Sequence, residues 1–366
     1  MTKIYPLRAE IIDASCFSRR PGSGLQGQYE SLSYIPGRAM WGGLANYSRL
    51  VAKNEKPSPE FMDIFYSDRV VFSNLYPEDE RGFRSKPIPL SARTKKKAPG
   101  FLQDRHGTER CAGVDDWLIK GIPRGIEFED IVKLEGFYVN KKRVENPSSY
   151  FMHHERDTVR KTVCKGKLYS RVSVERGSCF AGYIKVLEEK ENKPLEAMLE
   201  KLESGIELSI GRKPGRISVT KGRYEARVFS EDLGFSREGV FTVTCVSDTI
   251  LIDKYHRYYT YIPQTIIQEA CKGLFATCEL EHYFSAPKPV FGWNGAWQRP
   301  METELAVSAG SAFRYRYVLA NGKTGEDFAA AMKQLALRGL GLRRSQGFGE
   351  NVVNDSFHDL GEGQLW

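Results

Sequence analysis

Apolar residues recur at helical spacing in two segments of the chain. The second segment lies 133 residues after the first, which is the sequence separation of Leu195 and Phe328. In both segments the spacing is i, i+3, i+4, i+7, which places the apolar side chains on one face of a helix. The pattern therefore predicts two helices with one buried face each, at equivalent places in a duplicated unit. Their apolar positions are Leu195, Met198, Leu199 and Leu202, and Phe328, Ala331, Met332 and Leu335.

Short strand-like runs precede both predicted helices. They cover residues 181–187 and 314–319 and follow the turns Gly-Ser-Cys-Phe, from Gly177, and Gly-Ser-Ala-Phe, from Gly310. We predict from the alternation of turn, strand and helix that the two segments have the same local structure.

The ends of both helices carry sequence signals. Pro194 suits the first turn of the first helix, and Thr324 with Asp327 forms a capping-box pattern for the second. Gly205 and Gly339 follow the last apolar positions, where a glycine cap is expected.

A strand-like run and a helix that begins at a proline also open each unit. The strands cover residues 4–14 and 240–253, and the helices run from Pro36 to about Leu50 and from Pro263 to about Phe275. The order strand, helix, strand, helix, loop, strand predicts an α+β protein of two ferredoxin-like (RRM-like, βαββαβ) domains. We place the first at residues 1–235, with a long insertion at about 51–150, and the second at 236–366.

Composition changes this interpretation little. The 366 residues are 41% hydrophobic, and 54 basic against 46 acidic residues give a formal net charge of +8, which is compatible with an anionic partner. Seven cysteines without a CxxC pair indicate reduced thiols and no zinc site. The sequence has no apolar run of signal-peptide or membrane-span length, so we expect a soluble, cytoplasmic protein without cofactor, metal or membrane contact.

The loop after the second helix combines glycine with arginine. Glycine allows backbone N–H groups to approach an anion, and arginine binds phosphate oxygens. A surface turn with solvated charges is the alternative, but a second Gly/Arg loop at the equivalent place favours a phosphodiester cradle. A dinucleotide fingerprint is excluded because its glycines open a helix, whereas these close one. The predicted RNA-binding residues here are Arg343, Arg344, Ser345, Gln346, Gly347, Phe348 and Gly349, with Phe348 as a stacking face.

Further basic residues are spread over several predicted elements, as expected for a groove that follows a long polyanion. A charge run taken alone is also typical of a solvated face. The candidates are Arg93, Lys95 and Lys96 in the insertion, Arg156 and Arg160 before the first Gly-Ser turn, and Arg212, Lys213 and Arg216 in the first Gly/Arg loop.

Several motifs together resemble the repeat-associated RNA-binding (RAMP) superfamily of CRISPR systems. The stretch YIPGRAMWGGLA, from Tyr34, is similar to that family's IPG helix start, with Arg38 in place of the usual serine, and GLRRSQGFG, from Gly341, is similar to its terminal glycine-rich loop. SVERGSCFAG, from Ser173, resembles a family strand, and FSNLYP, from Phe72, with KPIPLS, from Lys86, resembles the type III-D branch.

The resemblance implies two ferredoxin-like domains and a subunit of an RNA-guided type III effector complex. Its expected partners are CRISPR RNA, other subunits of the complex and, indirectly, target RNA. The branch resembles subunits that cap the repeat-derived 5′ tag of the guide. Gly37, Arg38 and Trp41 at the start of the IPG helix are then expected to bind RNA, with Gly37 admitting its backbone and Trp41 either stacking on a base or packing in the core.

The sequence favours a binding subunit over an enzyme. Relatives that cut target RNA use an aspartate between the first strand and the IPG helix, and residues 15–33 contain none. Processing endonucleases of the superfamily use a histidine general base instead, so His153 and His154 are the alternative catalytic residues for a metal-independent endoribonuclease.

Overall fold

The computed structural model describes residues 2–17, 28–29, 31–48, 56–96, 102–103, 109–110, 114–123, 130–139, 142–144, 148–156, 163–188, 190–211, 215–223, 236–294 and 299–358. The helices are α1 Gly37–Ser48, α2 Pro59–Phe65, α3 Trp117–Lys120, α4 Lys193–Ser204, α5 Gln264–Ala270 and α6 Gly325–Arg338. The strands up to residue 156 are β1 Lys3–Ile11, β2 Gln28–Tyr29, β3 Val70–Phe72, β4 Tyr76–Pro77, β5 Lys86–Pro87, β6 Ala92–Lys95, β7 Leu102–Gln103, β8 Glu109–Arg110, β9 Asp115–Asp116, β10 Ile131–Lys133, β11 Phe137–Val139, β12 Lys142–Val144 and β13 Ser148–Arg156. The later strands are β14 Val163–Val174, β15 Cys179–Val186, β16 Ile206–Ser209, β17 Arg216–Lys221, β18 Glu238–Cys245, β19 Phe275–Phe284, β20 Pro287–Val290, β21 Trp293–Asn294, β22 Arg299–Pro300, β23 Glu304–Val307, β24 Ala312–Leu319 and β25 Asn351–Val353.

Two antiparallel sheets organise the chain. The first has the order β16-β17-β1-β15-β3, with β4 also paired to β15, and the second has the order β19-β24-β18-β25. All of these pairs are antiparallel. The prediction of a mixed α and β protein is confirmed.

The apolar faces predicted from the sequence are buried. On α4, Leu195, Met198, Leu199 and Leu202 join a core with α1 and the first sheet. On α6, the predicted residues Phe328, Met332 and Leu335 are buried in the core of the second sheet, and Ala331 packs against that core.

The predicted helix ends are also confirmed. Thr324 and Asp327 form the capping box of α6, and the prolines near the start of α4 and α5 lie where expected. Gly205 and Gly339 cap the carboxyl ends of α4 and α6 with φ of 91° and 72°, a region that favours glycine.

The segment predicted as an insertion supplies part of the first core. Strand β3, inside that segment, pairs with β15 at the edge of the first sheet, and Phe61, Ile64 and Phe65 of α2 are buried in the same core. A three-residue apolar strand is too short to give a period in the sequence, so β3 was not predicted.

Later parts of the insertion reach the second unit. Asp116, at the start of α3, contacts His358 after β25, with Asp116 Oδ2 and His358 Nδ1 2.7 Å apart. The other ring nitrogen of His358 lies 2.8 Å from the Thr244 hydroxyl on β18, and Ser91 donates to Asp116 at 2.5 Å. All four side chains are buried, so this network ties the insertion to the second sheet. Across the described ranges, no helix is long and apolar enough to cross a membrane.

Candidate nucleic-acid interface

The amino end of α1 packs directly on the glycine-rich loop that follows α6. Asn74 Oδ1 accepts the Gly37 backbone N–H at 2.7 Å. A Cβ on Gly37 would lie 2.8 Å from the Cα of Gly347, and a Cβ on Gly347 would lie 2.9 Å from the Cα of Gly37. Glycine at both positions therefore permits a backbone-to-backbone contact within the chain, and the predicted approach of RNA to Gly37 is occupied by Gly347.

Other glycines of the loop have the same packing role. Gly341 and Gly349 have φ of 78° and 73°, and a Cβ on either would collide with backbone atoms, those of Ile250 and of Leu340 respectively. Gly349 donates its N–H to the carbonyl of Asp248 at 3.0 Å. The loop is thus folded tightly against residues 248–250.

Phe348 is part of this packing. Its side chain is buried with Ile250, Val290 and Ala306 in a small apolar cluster. Phe348 was predicted to offer a stacking face for a base; most of its ring packs in that cluster, and the residue also borders the cleft described below. Ser345, in the same loop, is buried as well.

The two loop arginines have acidic partners in the chain. Arg343, at a left-handed φ of 56°, lies 2.8 Å from a Glu304 carboxylate oxygen, and Arg344 pairs with Asp68. The side chains of Arg343 and Arg344 are 27% and 25% exposed. Their predicted phosphate contacts require these ion pairs to be exchanged or shared.

Three predicted residues, Arg38, Gln346 and Phe348, line one cleft that is open to solvent. Arg38 comes from α1 and Gln346 from the loop; Lys288 on β20 lines the same cleft. Its remaining walls are formed by Leu32, Tyr34, Pro36, Asn74, Asp248, Pro289, Val290 and Phe291.

The charges in this cleft are only partly compensated. Lys288 pairs with Asp248 at 2.7 Å, and Asp248 also accepts the Ala309 N–H at 2.9 Å. Arg38 donates one N–H to the carbonyl of Phe291, and a guanidinium carries five donors. Burial lowers the pKa of Arg38, against the opposite effects of Tyr34 and Asp248, but an arginine stays protonated at neutral pH. The cleft therefore offers the Arg38 guanidinium and the Gln346 amide to an anionic ligand, and Lys288 as well when its ion pair with Asp248 is exchanged or shared.

A buried ionic network supports the loop from behind. Arg84 binds Glu350 through two bonds of 2.7 and 2.9 Å, and its guanidinium lies 4.8 Å from the ring centroids of both Tyr76 and Tyr183. Burial alone would raise the pKa of Glu350, but Arg84, Lys185 and Tyr183 together outweigh burial, so the net shift is downward. Glu350 directly follows the glycine-rich loop, so its ion pair fixes the end of the loop.

Lys185 lies beside this network. It donates to the carbonyls of Ala336 and Leu337 in the last turn of α6, at 3.2 and 3.3 Å. Burial lowers its pKa to about 8, against the raising effect of Glu350. A lysine of the first sheet thus binds the carboxyl end of a helix that packs on the second sheet.

Trp41 packs against the first core. Its Nε1–H donates to the carbonyl of Phe65 at 2.6 Å, and its ring makes edge contacts with Phe65 and Tyr66. Of the two roles expected from the sequence, the packing role agrees with these contacts.

Arg93 has its own partners away from the cleft. It donates to the carbonyls of Leu90 and Ala92, and its guanidinium lies 5.0 Å from the Trp117 ring and 5.5 Å from the Phe284 ring. Burial lowers its pKa. Lys95 and Lys96, after it, are exposed.

The remaining predicted residues are not brought together by the described structure. Arg216 pairs with Asp13 at 2.6 Å on the first sheet. Arg160, Arg212 and Lys213 lie outside the described residues. The backbones of His153, His154 and Arg156 lie in β13, opposite Tyr169, Leu168 and Val163 of β14.

Sequence reasoning missed Lys288, Asp248 and the pair of Arg84 and Glu350. Lys288 stands alone between two prolines, and Asp248 lies in a turn, so neither belongs to a periodic or charged run. Their positions become visible only when the hairpin of β20 and β23 folds beside the loop.

No protein-family model matches this chain, and no curated protein matches it. Among solved structures, a chain of the type III-B Cmr-beta complex bound to cognate target RNA and AMPPnP is similar at 12% identity and a TM-score of 0.45, covering 84% of this chain and 86% of that chain. A chain of a Cas6 product complex is similar at 11% identity and a TM-score of 0.39, covering 96% and 100%. The functional assignment depends on the site itself.

Proposed function

We propose that this chain is a non-catalytic RNA-binding subunit of an RNA-guided type III CRISPR effector complex, where it holds CRISPR RNA and contacts neighbouring subunits. The observation that carries the proposal is the cleft lined by Arg38, Lys288 and Gln346. Arg38 and Gln346 belong to the two motifs that resemble the RAMP superfamily, and the fold joins those motifs at one place.

The finer assignment is to the type III-D branch, with the repeat-derived 5′ tag of the guide as the bound segment. We further assign the two units, residues 1–235 and 236–366, as ferredoxin-like domains. In support, four strands of each sheet follow the chain order strand, helix, two strands, helix, strand. They are β1, β3, β15 and β17 in the first unit and β18, β19, β24 and β25 in the second. In both sheets the first and third of these strands lie at the centre.

The test is the affinity of the purified protein for a single-stranded RNA that carries the repeat-derived tag. Arg38→Gln and Lys288→Gln each remove one cation from the cleft while keeping a polar side chain. Charge-assisted phosphate contacts contribute about 1.5–3 kcal/mol each, so each variant should lower the affinity about tenfold or more.

The matched control is Arg316→Gln. Arg316 is an exposed, ion-paired arginine on β24, bound to Glu281. Its variant should bind RNA as the parent does. Equal affinity of all three variants and the parent would remove the cleft from the proposal, and a parent that binds no RNA would overturn the proposal itself.

The same RNA also tests the endoribonuclease alternative. A non-catalytic subunit leaves the RNA intact during a long incubation without metal. Cleavage by the parent that disappears when His153 and His154 are both replaced by alanine would contradict the non-catalytic assignment.

A further inference from the structure

A tyrosine-rich turn lies between β18 and α5, outside the cleft. Residues 254–261 read Lys-Tyr-His-Arg-Tyr-Tyr-Thr-Tyr, with four tyrosines, two cations and no acid. Asp253, just before them, is the nearest carboxylate in the sequence. The resemblance to the RAMP superfamily does not involve this segment, and the cleft does not use it.

The turn is fixed by its backbone and by Asp253. The Asp253 carboxylate accepts the backbone N–H groups of Tyr255 and Arg257 at 2.8 and 2.9 Å and the Arg257 Nε–H at 2.7 Å. Asp253 also donates its own N–H to the carbonyl of Arg257, and Ile252 pairs with Tyr258. His256 takes a left-handed φ of 61° at the tip. None of these bonds uses the side chains of Lys254, Tyr255 or His256.

Two of the four tyrosines anchor the turn and two are displayed. Tyr259 and Tyr261 pack against the second core, and Tyr261 stacks on Tyr283 with ring centroids 5.3 Å apart. Tyr255 and Tyr258 are instead 65% and 40% exposed. The fold therefore holds Tyr255 in solvent on a rigid support, although burying its ring would be favourable.

Two cations accompany the displayed ring. Lys254 Nζ lies 5.0 Å and the Arg257 guanidinium 5.2 Å from the centroid of Tyr255. Both cations lie over the ring. A nucleotide can replace them there, because its base stacks on the aromatic face while its phosphate pairs with the displaced cations. A protein partner would need an apolar surface around the tyrosine, and Lys254, His256 and Arg257, which surround it in sequence, are exposed and polar.

We propose that the turn of residues 253–258 is a second RNA contact, in which Tyr255 stacks on an unpaired base and Lys254 and Arg257 bind the adjoining phosphates. This inference rests on RNA being the ligand of the chain, as proposed above. It adds a sequence-tolerant contact for a single strand to the cationic cleft.

The test is fluorescence anisotropy with a labelled single-stranded RNA of mixed sequence, about 16 nucleotides long. Tyr255→Ala should lower the affinity about fivefold or more, because the base no longer stacks on an aromatic side chain. Tyr255→Phe should bind as the parent does, because the ring face remains. The control is Tyr47→Ala, since Tyr47 is also an exposed tyrosine beside a cation, Lys201, but lies on α1. All three variants should have the same melting temperature as the parent.

Cross-linking gives a second measurement. Trypsin cleaves after Lys254 and Arg257, so a photoreactive RNA of the same sequence should leave its nucleotide on the peptide of residues 255–257. The inference is overturned if the parent binds RNA, Arg38→Gln weakens that binding and Tyr255→Ala does not; the proposed function then stands without it. Equal decreases in affinity for Tyr255→Ala and Tyr255→Phe would overturn stacking, and a parent without RNA affinity overturns both proposals.

Discussion

Gly37 and Gly347 lie back to back, so that a Cβ on either residue would come within 2.9 Å of the other's Cα. Gly37 opens α1 in the first unit, and Gly347 ends the helical turn Arg344–Gln346 of the glycine-rich loop in the second. Real Cβ atoms do not come so close to a backbone atom, so this contact requires glycine on both sides. The contact brings the IPG helix start and the terminal glycine-rich loop into one structural joint.

We predict that Gly37→Ala destabilises the protein by about 1–3 kcal/mol, because overpacking a close contact forces backbone shifts. Gly37→Val should destabilise it more. If Gly37 only admitted RNA, as expected from the sequence, its substitution would leave stability nearly unchanged; the contact with Gly347 predicts a loss instead. The measurement is denaturant unfolding.

Gly42→Ala is the control for this prediction, because Gly42 lies on the same helix and a Cβ there meets no atom within 4 Å. It should stabilise the protein by about 0.5–1 kcal/mol through helix propensity. If Gly37→Ala proved as stable as Gly42→Ala, the close contact would be wrong.

The paired alanine substitutions of Arg343 and Arg344 should lower the affinity for guide RNA at least about tenfold. The log–log salt dependence should become shallower by about 0.7 for each phosphate that the variant no longer neutralises. Thermal stability should fall through Arg343, because its loss leaves the mostly buried Glu304 carboxylate without a partner, whereas loss of the more exposed Arg344–Asp68 pair should change stability little.

Asp68 gives the complementary test. Because Asp68 pairs with Arg344 in the free protein, Asp68→Asn should release that arginine and raise the RNA affinity. Parent-like binding by both the double arginine variant and Asp68→Asn would make the loop a structural turn only.

Lys185 should give the protein a measurable pH dependence. Its pKa is about 8 in the folded protein and 10.5 in the reference state. Between these values the unfolded chain holds the proton that the folded protein has released, so this residue's contribution to stability rises as pH rises.

The free energy of unfolding, parent minus Lys185→Met, should therefore increase from pH 8 to pH 10.5, by up to about 3 kcal/mol. Taking the difference cancels the buried cysteines, such as Cys245, whose pKa burial raises to about 12. A difference that stays flat across this range would contradict the lowered pKa.

The buried network of Asp116, His358 and Thr244 has the order of acid, imidazole and hydroxyl found in hydrolases. All three side chains are buried, so we expect it to stabilise the docking of the insertion. Asp116→Asn and His358→Gln should each lower stability by about 1–3 kcal/mol, and the double variant should be destabilised by less than the sum, because the residues share one bond.

Glu135→Gln is the control, since Glu135 is 77% exposed in its ion pair with Lys133. It should unfold at the denaturant concentration of the parent. Additive destabilisation by the Asp116 and His358 substitutions would contradict a coupled network.

How far the sequence predicted this molecule depends on whether the signal is local. Helices α4 and α6 were predicted with their buried faces and ends, because amphipathic spacing and capping residues are local patterns. Strand β3 was missed because three apolar residues carry no period.

For the candidate site, the sequence identified the right segments but not the roles of several residues. A glycine that lets RNA come close and a glycine that lets another backbone come close have the same sequence signature. Gly37 and Gly347 were expected to approach RNA, and in the structure they pack against each other. Phe348 was predicted as a stacking face, because no local sequence pattern indicates that its side chain packs with Ile250 and Val290. Lys288 belongs to the cleft through a fold-level contact that no spacing encodes.

The contacts between the units also set an order for synthesis on the ribosome. Gly347, Glu350 and His358 bind partners near residues 37, 84 and 116, which emerge much earlier. Until the last of these residues leaves the exit tunnel, Arg84 lacks its carboxylate and the amino end of α1 lacks its cover. The segments around residues 37, 84 and 116 therefore reach their final structure only after residues 347–358 have left the tunnel.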